Sequence, residues 1–163
     1  MAKMPDEGVF TRGKIDQNTG AQWVYVTAQM ARAHPKGRLS IELWLVVAYF
    51  VAVAAVRVAD VAAYGQSGAW IVYAVQIGIP LLLAALIALR APWSASVAIV
   101  LVGLGVVASL KGLEQADDPL QIFNIAVLIG IAVYLHYGDR PNLIYRHRYR
   151  SYAPIEGEDQ GGA

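Results

Sequence analysis

Cysteine is missing from this 163-residue sequence. That excludes disulfides, thiolate-bound zinc, iron–sulfur clusters and cysteine nucleophiles. Histidine is scarce: there are three, His34, His136 and His147, and only His136 falls in an apolar segment. A haem gripped between two helix-borne histidines therefore has too few ligands. Charge is thin as well. Asp, Glu, Lys and Arg make up 15%, against roughly 25% in an ordinary soluble domain. The net charge of +1 provides no electrostatic footprint for nucleic acid. Acids, histidines and serines are scattered to both ends of the apolar segments, so no Ser/His/Asp set assembles. No enzyme activity, cofactor or metal site is expected. A secretory signal is lacking too, because no apolar run stands close behind a basic start. The first such run begins near Leu43 and reads as an uncleaved anchor.

What is abundant is apolar side chain. Hydrophobic residues reach 57%, above the roughly 45–50% of soluble domains, and they concentrate between residues 43 and 137. Crossing a bilayer takes about 20 apolar residues in a helix. Four segments approach that length: Ile41 to Ala63, Ala69 to Leu89, Trp93 to Leu110 and Leu120 to Tyr137. Short breaks separate them, at Gly65 to Gly68, Arg90 to Pro92 and Glu114 to Pro119. Short connections make neighbouring helices antiparallel. The fold class expected is all-α: an integral membrane, four-span, up-down bundle with short interfacial helices at its termini. The organisation expected is an N-terminal arm over 1–38 with an interfacial helix over 22–33, a membrane domain over 39–138, and a basic-aromatic tail over 139–163.

Orientation follows from the cations. Eleven of the thirteen Lys and Arg residues lie in the N-terminal segment, at Arg90 or in the tail; Arg57 and Lys111 fall on the other side. Cytoplasmic loops carry the excess of Lys and Arg. Both termini are thus expected in the cytoplasm, and the location expected is a bacterial inner membrane. The aromatic rings agree: Trp44, Trp93, Tyr134 and Tyr137 fall at the inner boundary, and Tyr64 and Trp70 at the outer one, the depths amphipathic rings favour.

Polar residues inside or at the ends of the spans are the first candidates for function, since an intramembrane charge is costly. Arg57 and Asp60 are three residues apart and share a helix face. Lys111 and Glu114 repeat that spacing. Gln76 lies four residues before Pro80, whose ring frees the Gln76 carbonyl from the helix ladder. If these groups faced one wet cavity, a small oligomeric channel or transporter would be indicated. If they faced outward, Arg57 and Asp60 would close a helix end. Gly105 and Ser109, four apart, suit close helix packing.

The second set lies outside the spans. Residues 22–33, read as a helix, place Trp23, Val26 and Met30 on one side. Residues 140–152, read as a helix, place Tyr145, Tyr149 and Tyr152 on one face, with Arg146 and Arg150 on the next and Arg148 nearby. Basic-aromatic segments beside a span suit anionic headgroups. Met1 to Gly20 is polar and aperiodic, and it buries too little to fold alone. A plain four-helix bundle has no use for such an arm. The function expected is therefore a structural, accessory or assembly subunit of a larger respiratory, photosynthetic or transport complex. Its partners would be other membrane-protein subunits and anionic lipids, not nucleic acid.

Overall fold

The computed structural model describes residues 10–15, 20–65, 68–113 and 119–151. The chain is mostly helical, and four of its helices are long and apolar enough to cross a membrane. A six-residue helix, α1 (Ala28–Ala33), precedes them. The four long helices are α2 (Ile41–Tyr64), α3 (Trp70–Ala88), α4 (Ser94–Leu113) and α5 (Pro119–Tyr137). Their ends fall where the sequence chemistry changes. Gly65 stops α2, and Pro119 opens α5 at the position where a missing N–H costs nothing. Pro80 lies inside α3, which continues through it.

Packing is uneven along the bundle. Helix α2 lies along α3, and α4 lies along α5. The two pairs meet in a core that includes Leu43, Phe50, Ile87, Ala98 and Leu135. All of these sit toward one end. No residue of α2 beyond Ala54 is buried, and none of α3 before Leu83. At the far end the pairs diverge. Gly105 faces α5 without being required there, because a Cβ would meet Leu128 at 3.9 Å, an ordinary van der Waals distance.

The tight end carries a small cap. Its strands are β1 (Thr11–Ile15), β2 (Gln22–Tyr25) and β3 (Arg148–Ser151), ordered β1-β2-β3 and antiparallel. Helix α6 (Asp139–Arg146), α1 and a 3₁₀ turn over Pro35–Gly37 complete it. A second core of Val24, Val26, Ala31 and Leu143 holds the layers together. The turn between α3 and α4 closes beneath the cap, where the Trp93 N–H donates to the Tyr145 carbonyl at 3.4 Å.

Three expectations change here. The helix over 22–33 is split. Gln22 to Tyr25 is a strand, and only Ala28 to Ala33 is helical, with the Thr27 hydroxyl accepting from the Met30 N–H at 3.2 Å. The Trp-Val-Tyr run suits a pleated surface, and Thr27 supplies a strong N-cap. Trp23, Val26 and Met30 therefore share no helix face; along the extended chain Val24 and Val26 are buried while Trp23 is only half-buried. The helix over 140–152 ends at Arg146, because His147 takes a left-handed conformation (φ 50, ψ 43) and turns the chain into β3. Tyr145 and Tyr149 thus lie on different elements, and Tyr152 is outside the described residues. The unfolded arm is also partly corrected. Thr11 to Ile15 is paired with β2, while residues 1–9 and 16–19 lie outside the described chain.

Candidate functional site

The cap is organised around Asn142, which has no exposed surface. The last carbonyls of a helix lack partners within it. At the end of α5 the Asn142 amide supplies them, donating to the His136 carbonyl at 3.0 Å and the Gly138 carbonyl at 2.8 Å. Its own carbonyl oxygen accepts from Arg146 at 3.0 Å and Arg148 at 3.2 Å. One side chain thus ties α5, α6 and β3 together. Tyr145 performs a similar task for α3. Its hydroxyl donates to the Ile87 carbonyl at 3.0 Å. Burial pushes that phenol well above its ordinary pKa.

Cations and one indole form the outward face of the sheet. Trp23 pairs across the strands with Arg150. The Arg148 and Arg150 guanidinium carbons lie 4.3 and 4.9 Å from the centroid of its ring, within cation–π range. Burial lowers the Arg146 pKa, and the neighbouring Arg148 adds to the effect. Burial also lowers His147, with Arg32 contributing. Between α1, α6 and β3 opens a cavity of about 480 Å³. Met30 and Leu143 line it with His34, Lys36, Asp139 and Arg150.

The expected contact residues separate into two groups. Trp23, Met30, Tyr149, Arg148 and Arg150 come together on the cap, and Arg146 stands half-buried behind them. Tyr145 is 2% exposed and is spent inside the protein, so it offers no surface to lipid or partner. Asn142 and His147 were missed by the sequence reading. The signal for them is Gly138-Asp139-Arg140-Pro141, a helix stop followed at once by the acid and proline of a new helix start.

The polar residues of the long helices are arranged differently. Arg57 lies 3.3 Å from Asp60, with the two side chains 52% and 51% exposed, so the pair exists but is not buried. Gln76 and Lys111 are exposed, on α3 and α4; Glu114 is outside the described residues. Arg57 lines a cleft of about 670 Å³ where α2 diverges from α4 and α5. Two residues not singled out from sequence, Tyr49 and Asn124, share that cleft, and the Tyr49 hydroxyl donates to the Asn124 carbonyl oxygen at 2.5 Å. Gln121 lines it too and donates to the Ser109 carbonyl. Among the described residues no group of three His, Asp or Glu side chains is placed to hold a metal ion. Neither the family models, nor the curated proteins, nor the solved structures compared with this chain give a match.

Proposed function

We propose that this chain is a multi-pass protein of a bacterial inner membrane, built as an up-down bundle with its cap in the cytoplasm. We propose further that it serves as a non-enzymatic accessory or assembly subunit. Two features support insertion. The four helices have the length and composition of spans, and the bundle surface is belted with exposed apolar residues such as Leu45, Ile71, Leu104 and Phe123. In water a belt of that extent is an aggregation liability; in lipid it is the solvated surface. The cations of Arg32, Lys36, Arg90, Arg140 and Arg148 gather at or near the cap, which supports the cytoplasmic side.

The observation that carries the docking role is the cap itself. Segments before α2 and after α5 build a sheet whose face presents Trp23 between two arginines. Tryptophan and arginine are the side chains most enriched at the energetic centres of interfaces. The partner would be another subunit of a respiratory, photosynthetic or transport assembly, with anionic headgroups meeting the remaining cations. Deleting residues 2–20 removes β1 and leaves β2 paired with β3. The expected result is a protein that still inserts but no longer co-purifies with its host. Co-purification that survives both this deletion and Trp23→Ala overturns the docking role. Reporter fusions after Gly65 and near Asp117 should read periplasm, and those at Ala91 and Ala163 cytoplasm; a cytoplasmic signal at Asp117 overturns the topology.

A further inference from the structure

The divergence of the two helix pairs leaves the cleft between α2, α4 and α5 open to the side at the end far from the cap. Its lining is mixed: Val53, Val56 and Leu120 supply apolar surface, Ser109 and Gln121 polar surface, and the Tyr49–Asn124 hydrogen bond lies at its inner end. From Tyr49 to Arg57 is eight residues, or about 12 Å of helix, and this stretch lies within the span. The volume of about 670 Å³ is in the range of lipid- and ligand-sized sites. Arg57 lines the cleft, and Asp60, paired with it, stands just outside the lining. Arg57 is the deeper; Asp60 lies about 4.5 Å further toward the helix end. Arg57 spends one nitrogen on Asp60 at 3.3 Å, and a guanidinium carries five N–H donors in a fork that matches phosphate.

We infer that this cleft binds a zwitterionic phospholipid bearing a primary amine, of the phosphoethanolamine type. In such a lipid the phosphate lies next to the glycerol and the ammonium lies outward of it. That is the order in which Arg57 and Asp60 offer their charges. The phosphate takes the remaining donors of Arg57, the ammonium donates to Asp60, and one acyl chain runs along Val56 and Val53 toward Tyr49. A phosphocholine headgroup has no N–H to give Asp60. A phosphoglycerol headgroup brings no cation, and it leaves Asp60 facing a second anion. The inference rests on the membrane reading above and is independent of the docking role.

The test is native mass spectrometry of the full chain in mild detergent, offered phosphatidylethanolamine, phosphatidylcholine and phosphatidylglycerol at equal concentration. Retention of one phosphatidylethanolamine is expected, favoured about tenfold over the others by its charge-assisted hydrogen bonds. Arg57→Gln should abolish that retention, and Ala108→Trp, which fills the cleft, should do the same. Asp60→Asn should reverse the preference toward phosphatidylglycerol, an outcome that general loosening of the fold would not produce. Equal retention of the three lipids, an unaffected Arg57→Gln protein, or displacement by inorganic phosphate alone overturns the inference. Alkaline carbonate washing of the same membranes separates the two possible failures. A chain that washes off refutes insertion as well; one that stays but holds no lipid refutes only the headgroup site.

Discussion

The two ends of this bundle solve the same packing problem in opposite ways. At the capped end, large residues such as Leu43, Ile87 and Leu135 have no exposed surface, and the helix-terminal carbonyls near them are taken up by Asn142 and Tyr145. At the far end the long helices separate, polar side chains bond in pairs, and a cleft remains. Rigidity is thus concentrated where α6 can brace three helices at once. The open end has short connections and no comparable brace among the described residues. The lesson is that similar helices pack tightly or loosely according to what lies beyond their ends, not only what lies along them.

The sharpest way to break this contrast is to remove the brace. Asn142→Ala removes the side-chain donors to the His136 and Gly138 carbonyls, which keep only Arg146 and the residue-142 N–H, and takes from Arg146 and Arg148 their shared acceptor. A loss of about 3 kcal/mol is expected, read by unfolding in detergent micelles; a loss under about 1 kcal/mol would mean the cap is not what tightens that end. Core truncation compares the ends directly. Leu43→Ala, at 0% exposure, should cost about 3 kcal/mol. Val107→Ala, at 54%, should cost less than about 0.5 kcal/mol. Equal costs would erase the difference between the ends.

A subtler probe is pH. Burial, reinforced by Arg32, holds His147 below its ordinary value of 6.5 when folded. The unfolded cap therefore takes up the proton first. The contribution of neutral His147 is complete above pH 6.5 and is lost as the pH falls from there toward the folded pKa. Amide exchange in β3 should accelerate on acidification while the core of α2 stays protected. His147→Asn, which tolerates the left-handed conformation, should flatten that dependence. An unchanged profile in this variant would move the sensitivity elsewhere. The smallest effect concerns Ser94, which is 2% exposed and whose hydroxyl has no hydrogen-bond partner among the described residues. Ser94→Ala should be neutral, or stabilising by up to about 1 kcal/mol.

The long apolar helices were legible because apolar length is a local signal: α2 and α5 begin and end within a residue or so of the composition change. The Arg57–Asp60 contact was legible for the same reason, being set by three-residue spacing on one helix. The cap was not. Gln22 to Tyr25 is too short to declare its period, and its strand character depends on a partner at Arg148–Ser151. Histidine is among the non-glycine types enriched at positive φ, but residue type alone does not single out His147 (φ 50) from His34 and His136. The cleft was invisible because it arises from the divergence of two helix pairs, and no spacing within one helix encodes the angle between two.

The pairing of β2 with β3 also sets an order of events. Tyr25 and Arg148 are register partners, yet the ribosome emits them far apart in time. At about 5–20 residues per second, the intervening stretch of roughly 120 residues takes on the order of ten seconds to make. Through that interval β2 waits without its second neighbour, while all four long helices are synthesised. The sheet closes only after α5 is complete and α6 has turned back. Closure of the cap therefore reports that every helix from α1 to α6 has already been made.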